Sequence, residues 1–220
     1  SLLKNAPSNA GTYTLAVEIS ADGYEPARTA ILVTIEKAAL TSEMFHAKLP
    51  GDGSVFYTGS PHLASVTGTG IAGSLEAGEI SVTYKKDGEN GFADEPTDPG
   101  IYHLFVTVSG NSNLKDATEL DIQASFEIRE FTPQEGTAAI LSGGTDESDW
   151  KQSVVLTAPE GFLIAAELDG QFAQSMDWNV ENPAESGEHK KQTEIVYYLK
   201  QAESGALCTQ PQSVYAYIDR

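Results

Sequence analysis

Cysteine is nearly absent from the sequence, which has a single one, Cys208, among 220 residues. A lone thiol cannot close a disulfide within the chain, so the fold must be stabilised by the burial of apolar side chains alone. The sequence also lacks the Cys/His pairing that activates a thiol or binds zinc. We therefore interpret Cys208 as a small apolar residue near a strand.

Basic residues are scarce too. The chain has 13 lysines and arginines against 32 aspartates and glutamates, which gives a formal net charge of −19. A surface of this sign repels the phosphates of nucleic acids and the headgroups of anionic lipids. We therefore expect no nucleic acid partner. The acidity would suit a calcium-rich exterior, but the number of acidic residues does not by itself indicate an ion site.

Long apolar runs and helical periodicity are missing as well. No run reaches the roughly 18 apolar residues that a membrane span needs, so we expect no membrane insertion of this fragment. No signal peptide pattern opens the chain. Ser1 enters in the middle of a repeat, so we expect the sequence to be a piece of a longer protein. No long stretch places apolar residues at i, i+3, i+4 and i+7, which predicts little helix.

The sequence has instead short alternating stretches, separated by turns that draw on 20 glycines and 10 prolines. The most informative is residues 98–108, in which Asp, Pro and Gly lead into an alternating strand that Tyr102 opens. The spacing Asp-x-Gly-x-Tyr-x-apolar is typical of a tyrosine corner, in which the tyrosine hydroxyl binds back to the backbone of an immunoglobulin-like sandwich. Residues 9–19 repeat the pattern 89 positions earlier, with Tyr13 as the equivalent structural tyrosine.

These patterns predict an all-β protein of tandem immunoglobulin-like β-sandwich domains. Residues 1–37 would be a hairpin, the C-terminal half of a truncated repeat. Residues 38–131 would form one complete repeat, and residues 132–220 a second β-sandwich domain. A sandwich of this type takes about 100 residues.

The hairpin poses a packing problem. Its predicted inward face is apolar and consists of Tyr13, Leu15, Val17, Ile19, Ile31, Val33 and Ile35. A two-stranded unit is marginally stable by itself in water. We therefore expect this face to be covered by residues 38–131 or by the same face of a second copy of the chain.

Four segments carry a resemblance to a known family. They read Phe-Tyr-Thr-Gly-Ser-Pro from residue 56, Ile-Ser-Val-Thr-Tyr-Lys from residue 80, Pro-Thr-Asp-Pro-Gly-Ile-Tyr from residue 96 and Ser-Phe-Glu-Ile from residue 125. Together they resemble the landmarks of MBG/YDG-type immunoglobulin-like repeat modules of bacterial cell-surface proteins. The last domain, with Trp150, residues 154–161 and a closing Tyr-Ile-Asp, is similar to the immunoglobulin-like neighbours of such modules.

The resemblance implies an extracellular location, at a bacterial cell surface or in a secreted protein. It also implies further immunoglobulin-like domains on both sides in the parent chain, and a partner that is an extracellular protein or a glycan. It supplies no catalytic residues. Its motifs lie in turns and core positions, so they specify a fold and no ligand.

Acidic side chains cluster after two glycines, where Asp146, Glu147 and Asp149 could supply oxygen ligands to calcium. The spacing does not match an EF-hand, and a solvated acidic loop is the alternative. The four histidines, His46, His62, His103 and His189, have no metal-ligand spacing. We expect His103 to lie on the solvent face of its strand.

The last domain is rich in aromatic residues, which are either core residues or a platform for stacking a sugar. Trp178 lies between polar neighbours, and Tyr197 and Tyr198 are adjacent, so one of the two must face away from the core if they lie on a strand. These three are the candidate sugar-binding residues. Exposure of Trp178 and of one of the tyrosines would distinguish the platform from the core.

The function that these observations favour is a non-catalytic structural or adhesion module, a spacer or stalk in a multidomain surface or secreted protein. The alternative is a carbohydrate-binding module appended to a secreted hydrolase. No catalytic motif is evident, and no cofactor is expected apart from the calcium considered above.

Overall fold

The computed structural model describes residues 6–178 and 190–219. About half of the residues, 50%, lie in strands, and the sheets are in sandwich-like arrangements. In the described part, helix is limited to four short 3-10 segments, which are Ser42–Met44, Pro50–Gly53, Gly70–Ser74 and Ala77–Glu79. None of the described helices is long and apolar enough to cross a membrane. The prediction of an all-β chain with little helix is confirmed.

Fifteen strands form within the described residues. In chain order they are β1 (Gly11–Ile19), β2 (Ala27–Ile35), β3 (Phe45–Lys48), β4 (Ser54–Phe56), β5 (Ser65–Gly68), β6 (Ile80–Lys86), β7 (Phe92–Ala93), β8 (Gly100–Val108), β9 (Ala117–Arg129), β10 (Ile140–Ser142), β11 (Val154–Thr157), β12 (Phe162–Ala165), β13 (Ser175–Trp178), β14 (Lys190–Gln201) and β15 (Gln212–Asp219).

The largest sheet has five strands in the order β4-β9-β8-β6-β7. Strand β8 alternates strictly, because Tyr102, Leu104, Val106 and Val108 are buried while the residues between them are not. This is the inward face that the sequence predicts. Strands β6 and β8 pair antiparallel, and their register places Tyr84 opposite Leu104.

Strand β9 follows the predicted alternation over thirteen residues. Ile122, Phe126 and Ile128 are buried and Leu120 is half-buried, so this face assignment is confirmed. Two residues of this strand, Glu119 and Gln123, have positive φ angles of 50° and 56°. Such left-handed residues interrupt a strand locally and bend it.

Strands β1 and β2 form a separate two-stranded antiparallel sheet. The β1–β2 hairpin is joined to the loop before β9 through Asn113. The Asn113 side chain accepts a hydrogen bond from the Ala10 N–H at 2.8 Å and donates one to the Asn9 side chain at 3.1 Å.

Two three-stranded sheets, β10-β11-β13 and β12-β14-β15, make up the last region. They share one apolar core to which both sheets contribute, with buried Leu156 from the first and Ile164, Ile195, Leu199 and Ile218 from the second. Two sheets around one core are the arrangement of a sandwich. Cys208 is a free, buried thiol in that core, where it serves as a small apolar residue, and burial raises its pKa.

The chain folds as two compact units, and each of them gathers segments that are distant in sequence. One comprises residues 1–49, 64–94 and 102–125, and the other comprises residues 50–63, 95–101 and 126–220. Strands β8 and β9 each continue from one unit into the other. The division into 1–37, 38–131 and 132–220 stays a prediction.

Candidate functional site

The two predicted structural tyrosines stand at equivalent places. Strands β1 and β8 are both nine residues long, and Tyr13 and Tyr102 are the third residue of each. The first residues, Gly11 and Gly100, have φ angles of 152° and 150°, a region that residues with a side chain rarely adopt. The two strand openings therefore share their backbone geometry as well as their sequence spacing.

The hydroxyl of Tyr13 donates a hydrogen bond to the carbonyl oxygen of Asn9 at 2.8 Å. This bond to a residue four positions earlier is the backbone contact that defines a tyrosine corner. Tyr102 is buried, with 3% of its surface exposed, whereas Tyr13 is only half-buried.

The inner face of the β1–β2 hairpin explains that difference. Leu15 and Ile19 are 53% and 64% exposed, and Ile31 and Val33 are exposed too. The expectation that residues 38–131 cover this face within one chain is therefore wrong. A continuous apolar surface of this kind commonly marks an interaction site.

The candidate sugar platform does not form one surface. Tyr197 is 1% exposed, and its hydroxyl accepts a hydrogen bond from the Ala139 N–H at 2.9 Å. A ring in that position has no free face for stacking, so it belongs to the core. Tyr198 points to the opposite side of β14 and is half-buried.

Trp178 lies in the other sheet of the same region. It pairs across β13 and β11 with the buried Val154, and it packs partly buried against the apolar core. Its polar neighbour Asn179 lies outside the described residues. The structure thus places Tyr197 in the core against which Trp178 packs, and Tyr198 on the opposite side of β14.

The acidic loop uses its carboxylates within the protein. Asp146 accepts hydrogen bonds from the Ser148 hydroxyl and N–H, which lower the pKa of its carboxyl group. Asp149 accepts from the Lys151 ammonium at 2.6 Å and from the Gly144 N–H at 2.9 Å, and these contacts lower its pKa. Glu147 is exposed.

No group of three or more His, Cys, Asp or Glu side chains in the described residues is placed to hold a metal ion. The calcium site at residues 146–149 stays a prediction.

Sequence reasoning missed a pocket beside β8. It has a volume of about 410 Å³ and is lined by the end of β6, the turn that follows and two residues of β8, namely Lys85, Lys86, Asp87, Gly88, Glu89, Asn90, His103 and Phe105. The His103 Nε2 atom lies 2.7 Å from the Asp87 Oδ1 atom, within hydrogen-bond distance. No local pattern in the sequence indicates this contact, because it depends on the register that places Lys85 opposite His103.

A His–Asp pair activates a hydroxyl or thiol nucleophile, and none of the lining residues has either group. The arrangement offers charged and amide groups beside the ring of Phe105. It can therefore bind a small polar molecule.

The other histidines are dispersed. His62 is half-buried and its ring nitrogen lies 3.2 Å from the Thr58 hydroxyl, while His46 belongs to β3. His189 lies outside the described residues.

A cluster of aromatic rings lies near the predicted junction at residues 131–132. Phe131 packs against Phe56 with ring centres 5.8 Å apart and against Phe162 at 6.0 Å. The Arg129 guanidinium stacks 4.8 Å from the Phe56 ring centre. We call Phe56, Phe131 and Phe162 the phenylalanine junction.

Backbone hydrogen bonds reinforce the junction on both sides of Tyr57. The Tyr57 N–H donates to the Arg129 carbonyl at 2.8 Å, and the Leu207 N–H donates to the Tyr57 carbonyl at 2.8 Å. Residues 54–57 therefore bind both the end of β9 and the loop before β15. All of these residues belong to the same compact unit.

Comparison with family models, with curated proteins and with solved structures found no match for the chain.

The features of the described residues fall into two classes. The phenylalanine junction is an apolar contact between protein segments, and the hairpin face is an apolar surface that is largely exposed. The pocket beside β8 and the acidic loop are lined with charged and polar groups, some of which contact one another, as Lys86 does Glu89 and Lys151 does Asp149.

Proposed function

We propose that this chain is a non-catalytic structural or adhesion module, which acts as a spacer in a bacterial surface or secreted protein built of tandem immunoglobulin-like sandwiches. The strand-opening geometry that occurs twice, at Gly11–Tyr13 and Gly100–Tyr102, supports the tandem arrangement. The high strand content and the two-sheet core of the last region are compatible with sandwich modules.

The phenylalanine junction is the observation that carries the spacer role. A spacer must resist bending and extension, which requires that consecutive segments be held by more than the covalent chain. Here one segment, residues 54–57, is bound by aromatic packing and by backbone hydrogen bonds to residues on both sides of position 132. Aromatic pairs of this type contribute about 0.5–1.5 kcal/mol each beyond the burial of their surface.

The charge of the chain supports the proposed setting. A net charge of −19 keeps such modules soluble and prevents association between like-charged copies. It also favours partners other than nucleic acids, so an extracellular protein or a glycan remains the proposed partner class.

The test is single-molecule stretching of the full chain between its two ends, with the variants Phe131→Ala and Phe92→Ala. Phe92 is a matched control, because it is partly exposed and forms an edge-on aromatic pair with Phe105 at 5.1 Å, away from the junction. We expect Phe131→Ala to lower the unfolding force and Phe92→Ala to leave it close to that of the unmodified chain. Equal forces for all three proteins, or extension without a distinct unfolding step, would refute the spacer role.

Carbohydrate binding is the second candidate, and the pocket beside β8 is the observation that favours it. Saccharide sites combine an aromatic ring with carboxylate and amide groups, and this pocket brings Phe105 together with Asp87, Asn90 and His103. Co-sedimentation with insoluble cellulose, chitin and xylan tests this function. Retention on one of them that Asp87→Ala abolishes would favour this candidate over the spacer.

A further inference from the structure

The exposed hairpin has an occupied counterpart in the same chain. Strand β8, the equivalent of β1, lies between β9 and β6 in its sheet. On the β6 side the register pairs Ile80 with Val108, Val82 with Val106, and Tyr84 with Leu104.

Strand β1 has only half of these neighbours. Strand β1 pairs with β2, which corresponds to β9 beside β8. The described residues provide no strand on the other edge of β1. An unpaired edge presents a row of backbone N–H and C=O groups that another strand can bind. The unpaired edge of β1 thus corresponds to the edge of β8 that β6 occupies.

The side chains show the same deficit. Leu15 of β1 is 53% exposed, whereas its equivalent in β8, Leu104, is fully buried. Ile19 is likewise exposed, and its equivalent Val108 is buried. The residue types match and the strand geometry matches, so what differs is the set of strands that pack on them.

The two faces of the hairpin differ in chemistry. On the outer face, Thr12 contacts Thr34 at 3.3 Å and Glu18 forms an ion pair with Arg28 at 3.2 Å. On the inner face the cross-strand pairs include Tyr13 with Val33 and Leu15 with Ile31. The outer face therefore suits water, and the inner face suits an apolar partner.

We propose that the free edge of β1 and the inner face of the hairpin bind the first half of a further repeat of the same kind, through an antiparallel strand equivalent to β6. The residues of that strand corresponding to Ile80, Val82 and Tyr84 lie opposite Ile19, Val17 and Leu15. This is recognition by strand addition, in which main-chain hydrogen bonds give affinity and alternate side chains give specificity. The proposal rests on the tandem arrangement of the proposed function and names its partner.

A second copy of this chain is a poorer occupant. Its own β6 is already paired with β7 on one edge and with β8 on the other, so that strand is not available. The hairpin of the copy likewise lacks a β6 equivalent to offer.

The test labels an introduced cysteine. The single natural thiol, Cys208, is buried and therefore interferes little with the labelling. A cysteine is introduced as Leu15→Cys on the inner face, or as Leu32→Cys on the outer face, where Leu32 is 73% exposed. Each variant is made in the full chain and in an extended chain that has residues 38–97 placed directly before residues 9–220. Retaining Asn9 and Ala10 preserves the hydrogen bonds to Tyr13 and Asn113.

Maleimide labelling rates are the measurement. In the extended chain we expect Leu15→Cys to react at least about tenfold more slowly than in the full chain, because it is then accessible only by local opening. Leu32→Cys should react equally fast in both. Val82→Lys together with Tyr84→Lys, placed in the added copy alone, should restore fast labelling of Leu15→Cys.

A second measurement covers the case in which the added segment does not fold. A synthetic peptide of residues 78–88 should slow the labelling of Leu15→Cys in the full chain in a saturable manner and leave Leu32→Cys unchanged. The proposal is overturned if neither the added segment nor the peptide slows the reaction. It is also overturned if Leu15→Cys is already protected in the full chain without any added segment, in a dimer, and loses that protection when dilution dissociates the dimer. A second copy is then the occupant.

These outcomes are separable from those of the proposed function. Stretching of Phe131→Ala concerns the phenylalanine junction, which contains no residue of the hairpin. A junction that resists force together with a Leu15→Cys that stays reactive would reject the strand-addition proposal alone.

Discussion

The phenolic oxygen of Tyr197 lies 2.9 Å from the backbone nitrogen of Ala139 and accepts its hydrogen bond inside the core of the last region. The two residues are 58 positions apart, and the bond ties the segment before β10 to the centre of β14. This hydrogen bond gives Tyr197 a structural role in the core. Its neighbour Tyr198 points to the other side of the strand, as expected for adjacent strand residues.

Tyr197→Phe removes this acceptor and leaves the Ala139 N–H buried without it. A buried donor left unsatisfied costs about 1–3 kcal/mol, so we expect the free energy of unfolding to fall by that amount in urea titrations. Tyr198→Phe is the matched control and should change stability by less than about 0.5 kcal/mol, since its side chain is partly exposed. Equal losses in the two variants would contradict the assignment of Tyr197 to the core.

Phe126→Ala tests the inward face of β9. The ring is 2% exposed, and its removal should lower the free energy of unfolding by about 3–5 kcal/mol through the cavity that it leaves. Phe92→Ala, which truncates a partly exposed ring of the same size, should cost clearly less. An unchanged melting temperature for Phe126→Ala would show that the face assignment is inverted.

The contacts of Asp149 bear on calcium binding by the acidic loop. Its carboxylate already accepts from the Lys151 ammonium and from the Gly144 N–H, so an ion would have to displace the lysine. We therefore expect millimolar calcium to leave the melting temperature of the unmodified chain unchanged. Lys151→Met frees the carboxylate, and the effect of calcium on the melting temperature of this variant is compared with that on the unmodified chain. A calcium-dependent rise in the unmodified chain that Asp149→Asn abolishes would establish the site instead.

His62 makes stability depend on pH in a definite direction. Partial burial lowers the pKa of His62 below its ordinary value of 6.5, and a hydrogen bond with the Phe56 backbone opposes part of this effect. The unfolded chain then binds a proton at a higher pH than the folded one, so stability is full above pH 6.5 and decreases as the pH falls towards the folded pKa. Urea titrations between pH 7.5 and 5.5 measure this decrease.

His62→Gln removes the titrating group and should flatten the part of this profile that His62 causes. The difference between the two profiles isolates the histidine from the carboxylates, which titrate at lower pH. A profile that is identical in the variant would show that His62 does not contribute.

The sequence predicted the faces of the long strands well, because alternation over nine to thirteen residues leaves little ambiguity. Tyr102 and Val108 on β8, and Phe126 on β9, are buried as their spacing indicates. The equivalence of Tyr13 and Tyr102 also followed from spacing, and the shared φ of Gly11 and Gly100 is its physical basis.

Relations between distant segments could not be predicted in the same way. Whether Tyr197 or Tyr198 faces inward depends on which side of β14 the other sheet occupies, and alternation alone does not say. The contact of His103 with Asp87 depends on the register of β6 against β8. The phenylalanine junction joins Phe56 to Phe131 across 74 intervening residues, and no local pattern indicates that contact.

The last prediction concerns removal of the β1–β2 hairpin. Its described hydrogen bonds to the rest of the chain run through Asn9 and Ala10 to the Asn113 side chain, at exposed or half-buried positions. Its inner face is largely exposed, so its removal uncovers little of any core. Ala38 must be kept, because its N–H donates to the Asn113 carbonyl and its carbonyl accepts from Lys115.

Deletion of residues 1–35 should therefore leave the remaining chain folded. We expect a calorimetric melting temperature within a few degrees of that of the full chain, since the loss of one or two exposed hydrogen bonds costs about 1 kcal/mol and a change of that size shifts melting by only a few degrees. Asn113→Ala in the full chain is the matched control, because it removes the same bonds while keeping the hairpin. If the deletion unfolds residues 38–131 while Asn113→Ala does not, the hairpin belongs to the same cooperative domain, and it cannot be the second half of a separate repeat.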